Sequence, residues 1–388
     1  MTAKQTVMAA SLVVLLAASP VFAQADPDAP PQPAGEVRAE EPEPQPEPAP
    51  TPPPPPVEPR PSPPDVPARV PTGTFTLGVG FSPDEHFIAT GSVAQDDLFG
   101  TGKHLSLTAR LSERRELFLI RFEDPAVLGS QLRLRTDLYR DSKRFVGFTR
   151  DASGGALTLS RPIAPHLHAF VGYRLERIEV EPDVVLLARG VPSGPPPGPA
   201  RLGALRAGLS YSTLDGTWLP RRGTSAGGSI EVADRVLGSE IQLVRTDAWL
   251  SHHRPLGPLT LHLGATVSSV SGGAPMSERL HFDGASDLRG YAPGALGPSH
   301  PLTGMSLGGN YKYTARAELE VPLIPRLGIS AAAFVDVGGI HAPTGGRSGA
   351  SVGVGLIWRS PIGPLRFDWA VPLEGGRPVF LFGLGGSF

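Results

Sequence analysis

Between Tyr313 and Leu323 the chain alternates without a break. Ala315, Ala317, Leu319 and Val321 fall on one face, Thr314, Arg316, Glu318 and Glu320 on the other. A period of two is the side-chain repeat of a β-strand. An apolar face backed by a charged one suits a wall between lipid and a wet lumen. The same texture runs from Thr72 onward in short segments separated by Gly, Pro and Asp. Phe75, Leu77, Val79 and Phe81 alternate with Thr76, Gly78, Gly80 and Ser82. Val352, Val354, Leu356 and Trp358 lie opposite Gly353, Gly355 and Arg359, and Leu365, Phe367, Trp369 and Val371 lie opposite Arg366 and Asp368. A soluble sandwich would also alternate. Here, however, Arg recurs on the polar face of many segments, and nothing resembles the helices of a soluble α/β fold. The pattern predicts sixteen strands, the first at 74–82 and the last at 377–388, with 146–163 open to division. An even number of strands of about ten residues with uneven loops is the pattern of an all-β, antiparallel transmembrane barrel.

The residues before that texture have a different character. Lys4, the apolar run Val7 to Ala18 and the small-x-small site Val21-Phe22-Ala23 read as a cleaved export signal over 1–23. The apolar run is too short to cross a bilayer as a helix, which takes about 20 residues. Residues 24–71 are Pro-rich, with Pro52 to Pro56 in one run. Proline lacks a backbone donor, and the segment holds too little apolar surface for a core, so an extended, disordered periplasmic linker is expected. Either a plain spacer or a ligand for a periplasmic or cell-wall partner fits it. The barrel is expected over 72–388.

The chain has no Cys, which removes disulfides and thiolate metal sites, and its net charge of −2 gives no nucleic-acid footprint. A mean hydropathy of −0.05 suits a barrel, where only alternate residues face lipid. No hydrolase, zinc-protease or P-loop signature is present, so no enzyme, cofactor or metal is expected. The adjacent His252 and His253 point to opposite faces of a strand. In the closing strand Phe380, Phe382, Leu384 and Phe388 share a face, and a terminal Phe is a signal read by outer-membrane assembly machinery. Gly383, Gly385 and Gly386 there, with Gly78 and Gly80 in the first strand, predict a first/last-strand seam poor in side-chain packing.

Six short motifs, in order, resemble the BamA/TamA family of outer-membrane barrels, the bacterial surface-antigen type. They are Asp97-Leu98-Phe99-Gly100-Thr101-Gly102, Phe122 to Pro125 with Leu128-Gly129, Tyr211 to Gly223 (with Leu214 where the family has Arg), Leu288-Arg289-Gly290-Tyr291, Phe334-Val335-Asp336-Val337-Gly338, and Ser360 to Arg366. The resemblance covers 73–388. It implies that the Arg289-Gly290-Tyr291 loop folds into the lumen and that Arg289 pairs with Asp336 and Glu318 on the wall, Phe334 and Gly338 sharing the face of Asp336. The planar guanidinium suits such a lock because it can hold carboxylates bidentately. The resemblance also implies outer-membrane lipid around the barrel, unfolded outer-membrane proteins as clients and lateral opening at the seam. Assembly members of the family carry POTRA domains before the barrel, whereas 24–71 cannot encode one, so a barrel-only variant is expected. The alternative is a pore or structural barrel without insertase activity.

Overall fold

The computed structural model describes residues 73–183, 198–216, 220–271, 273–360 and 363–384. Sixteen strands close into one barrel in sequence order, each antiparallel to its neighbours. They are β1 (Gly73–Ser82), β2 (His86–Gln95), β3 (His104–Ser112), β4 (Arg115–Asp124), β5 (Arg133–Phe145), β6 (Phe148–Ala164), β7 (Leu167–Pro182) and β8 (Ala200–Ser212). The second half comprises β9 (Gly223–Ala233), β10 (Leu243–Leu256), β11 (Leu259–Ser271), β12 (Tyr311–Ile324), β13 (Ile329–Ala342), β14 (Gly345–Ser360), β15 (Gly363–Pro372) and β16 (Val379–Leu384). The 146–163 region is one strand. The last strand begins at Val379 and not at 377, and it runs to Leu384, the last of the described residues. Gly385, Gly386 and Phe388 lie outside them, as do residues 1–72 and with them the expected signal and linker.

The alternation dictates the wall. Leu77 is 73 % exposed and Trp369 53 % exposed, and Phe75, Val79, Phe118, Ile120, Leu138, Leu157, Leu209, Val335 and Val354 are exposed with them. A soluble chain rarely exposes an apolar surface of that extent. Around a barrel it is the lipid-facing band. The inward rows carry the charges. Cross-strand pairs such as Arg121 with Asp137, bidentate at 2.7 and 3.1 Å, line the lumen.

At one end of the barrel, β6 to β11 extend a buried apolar cluster: Phe148, Ile178, Val180, Leu202, Leu243 and Val270, among others. Met276, Leu280 and Met305 of the 272–310 loop pack against it. The loop is thus rooted in a hydrophobic seat before it turns into the lumen.

β1 meets β16 with Phe81 opposite Leu384, the last described residue of β16, and pairs with β2 along the whole of Gly73–Ser82. Gly80 there permits close approach, since a Cβ would lie 2.9 Å from the Leu384 carbonyl oxygen. A Cβ on Gly78 would make only ordinary contact with Thr90 of β2, at 3.9 Å. Packing at the seam is not absent, because the Phe81 and Phe382 rings lie 5.6 Å apart on the lipid side.

Candidate functional site

The 272–310 loop enters the lumen and places Arg289 at the wall, 3 % exposed. Its Nε and Nη2 donate to the two oxygens of Asp336 at 2.6 and 2.7 Å, the bidentate fork expected of this pair. Nη1 donates to Glu318 at 2.7 Å and to Asp368 at 3.3 Å. Asp336 lies on β13, Glu318 on β12 and Asp368 on β15, so one loop side chain joins three strands. Arg366 of β15 completes the cluster, donating to Asp368 at 2.7 Å and to Glu318 at 3.0 Å. Burial alone would weaken the charge of Arg289, but its hydrogen bonds to Asp336 and the nearby carboxylates outweigh this and hold its proton more tightly than usual.

Phe334 does more than share a face with Asp336. The Arg289 guanidinium carbon lies 3.4 Å from its ring centroid, a cation–π contact. Gly290 has φ +90°, a conformation that glycine adopts freely, and a Cβ there would press on Ala370 at 3.2 Å. The Tyr291 hydroxyl donates to the Ala350 carbonyl at 3.0 Å and to Glu374. Gly338, two residues beyond Asp336 on the same face, would bring a Cβ to 3.0 Å from the Tyr313 carbonyl oxygen.

The inward face of β14 explains how bulk fits here. A Cβ at Gly349 would meet the Tyr291 ring at 2.8 Å, one at Gly353 the Phe334 ring at 2.3 Å, and one at Gly355 an Asp368 oxygen at 2.1 Å. These glycines form a trough into which the cluster settles.

A second bolt has the opposite polarity. Glu278, at the root of the same loop and 2 % exposed, accepts from Arg150 of β6 at 2.9 Å and from Arg245 of β10 at 3.4 Å, and its carbonyl accepts from Arg245 at 2.6 Å. Arg174 and Arg150 also bind Glu176, and Arg174 binds Glu231. On this side the wall carries Arg150, Arg174 and Arg245 against Glu176 and Glu231, and the loop supplies the missing acid. On the other side the wall carries Glu318, Asp336 and Asp368 against Arg366 and against Arg316, which donates to the loop carbonyl of Ser286, and the loop supplies a further cation. The two polarities fix which way round the loop can sit.

Between the bolts, His281 is buried against Phe145 and Phe148, with ring centroids at 4.6 and 5.4 Å. Its Nε2 donates to the Met276 carbonyl at 2.8 Å, and its Nδ1 pairs with Ser306 Oγ at 2.9 Å. Burial pushes its pKa down to about 4. The fold therefore prefers the neutral ring, whereas the unfolded chain charges it below about 6.5. Its contribution is fully present above pH 6.5 and is lost as pH falls toward 4, by ~3 kcal/mol at pH 4. The urea midpoint should fall between pH 7 and 4.5, and less in His281→Gln. An equal fall in the variant would assign the acid sensitivity to other groups.

The adjacent histidines separate as the strand geometry requires. His252 bonds Thr224 at 2.8 Å, and His253 meets His262 across β10 and β11 at 2.6 Å. No cluster suited to a metal occurs among the described residues. Asp97 to Gly102 forms a tight turn, with Asp97 accepting from the Gly102 amide at 2.6 Å.

A model of the Omp85 superfamily domain matches residues 97–388. The outer membrane protein assembly factor BamA of Nitratidesulfovibrio vulgaris is 27% identical over 320 residues, covering 79% of this chain and 40% of the relative. BamA of Neisseria meningitidis is 26% identical over 382 residues, covering 82% and 47%. The chain therefore spans less than half the length of these relatives. Among solved structures, BamA from Haemophilus ducreyi lacking POTRA domains 1-3 superposes with a TM-score of 0.70 at 20% identity, over 82% of this chain and 70% of that one. CdiB from Acinetobacter baumannii superposes with a TM-score of 0.54 at 14% identity, over 80% and 59%.

Proposed function

The chain belongs to the Omp85 superfamily, and from that premise we propose that this outer-membrane barrel assists the insertion or translocation of proteins by opening laterally between β1 and β16. The observation that carries the reading lies on β1, where Gly78 and Gly80 bring no side chain to two successive inward positions beside β16. Unpaired strand edges are costly in lipid, and a client strand that pairs with them gains hydrogen bonds. No nucleotide is required for such an exchange. Arg289, held by Asp336, Glu318 and Asp368 over Phe334, acts as the lock that keeps the loop seated while the seam works. Gly290, Gly338 and Tyr291 shape that seat. Unfolded outer-membrane proteins are the clients, residues 1–23 direct export, and 24–71 form a linker in the periplasm. A conducting pore has less support, because a loop bolted to both sides of the lumen obstructs steady flow.

The test is to place the purified protein in liposomes and time the folding of an unfolded outer-membrane protein against empty liposomes. Acceleration should be lost when Phe81→Cys and Leu384→Cys are oxidised together. The absence of any acceleration, or acceleration that survives the crosslink, would overturn the reading.

A further inference from the structure

We infer that Asp84 is a positioning residue that couples the inserted loop to the seam. This deepens the seam reading above and rests on it for its function, though not for its structural test.

Asp84 occupies the three-residue turn between β1 and β2 and is only 9 % exposed. Its Oδ1 accepts from the Ala285 amide at 2.8 Å and its Oδ2 from the Ser286 amide at 2.6 Å. Two successive amides aimed at one carboxylate form an anion nest. The nest depends on Gly284. That residue has φ +91°, and a Cβ on it would lie 2.3 Å from Asp84 Oδ1. The 284–288 turn is itself closed by amides of Asp287 and Leu288 donating to the Gly284 carbonyl at 3.0 and 2.9 Å.

The same turn reaches the other side of the seam. Ala285 is 1 % exposed and packs with Ala370 of β15 and Leu381 of β16, together with Phe334. The register shows why a bridge is needed. Phe81 is opposite Leu384, and β1 ends one residue later at Ser82, while β16 begins at Val379. Residues Val379 to Phe382 therefore run past the end of β1, with no β1 residue registered opposite them. At this level the loop turn holds the first hairpin by hydrogen bonds and the last hairpin by apolar packing. The loop, rather than the strand ladder, closes the barrel there. The neighbouring Glu85 is engaged elsewhere, with Arg110 at 3.0 Å, so the nest depends on Asp84 alone in this turn.

Amide hydrogen exchange on the full protein in vesicles tests this. Asp84→Ala should raise exchange at least 10-fold in peptides covering β1, residues 284–288 and β16. Peptides covering Phe334 and Asp336 on β13 should keep wild-type protection, because Arg289 is untouched. Asp84→Asn, which retains one acceptor, should fall between the two. Unchanged protection of β1 and β16 in Asp84→Ala, or an equal loss on β13, would overturn the coupling. Should Asp84→Ala not fold, Asp84→Cys with Ser286→Cys replaces it. The chain has no other thiol. Oxidation should then protect β1 and β16, and reduction should release them; protection indifferent to oxidation would reject the coupling. In the client assay the oxidised pair should block acceleration. Seam protection that follows the variants without any client acceleration would keep the coupling and discard the insertase reading.

Discussion

Replacing Arg289 with alanine is expected to destabilise the folded barrel by roughly 3–5 kcal/mol, the usual cost of removing one partner from a buried ionic cluster. Asp336 has no exposure and Asp368 none, so neither carboxylate can turn to water. Arg366 remains for Asp368 and Glu318, but Asp336 loses both side-chain donors that hold it. The cation–π contact with Phe334 goes as well. Lysine should recover only part of the loss, since a point charge cannot reach Asp336 bidentately, Glu318 and Asp368 together. The measurement is the urea midpoint of the folded protein in vesicles, with heat-shifted gel mobility beside it. A midpoint for Arg289→Ala within about 0.5 kcal/mol of wild type would remove the lock from the account.

Replacing Glu278 with alanine should have an effect of similar order, for the mirror-image reason. Arg150 and Arg245 would lose their shared acid, leaving three wall arginines against Glu176 and Glu231. The consequences should differ in place. This bolt holds the loop root beside the apolar cluster of Phe148 and Leu202, so protection should fall on β6 and β10 rather than β13. Because both bolts hold one loop, losing the first lowers what the second can contribute. The double variant Arg289→Ala with Glu278→Ala should therefore cost less than the sum of the singles. Strict additivity in the urea midpoints would mean the two clusters act as separate wall features and not as two ends of one device.

The barrel itself was legible because the sheet repeat of two leaves its mark residue by residue. Ala315 to Val321 or Leu365 to Val371 can be assigned to a lipid face without any tertiary knowledge. Arg289 with Asp336 and Glu318 came from the resemblance, and the polar-face positions agreed with it. What stayed hidden depends on which inward rows come level across strands. Asp368 reaches Arg289 over 79 residues of sequence and Arg150 reaches Glu278 over 128, and no local pattern encodes either distance. Gly353 and Gly355 read as ordinary wall glycines, because the side chains that fill the space they leave are supplied by neighbouring strands. Asp84 sits in a Ser-Pro-Asp-Glu stretch that any hairpin turn could use. Its role comes from a loop 201 residues away.

That separation in sequence has a consequence for how the molecule is made. The part of the seat that holds residues 284–291 is assembled from the β1–β2 turn, β12, β13, β15 and β16, the earliest and latest parts of the fold. Contacts of such high contact order form only after the intervening chain has been organised. When Arg289 leaves the ribosome, Asp336 and Asp368 do not yet exist, and Asp84 is already part of an earlier hairpin. The loop cannot take its place until the final hairpin has been laid beside the first, so a seated loop is a record that the circuit of strands is complete.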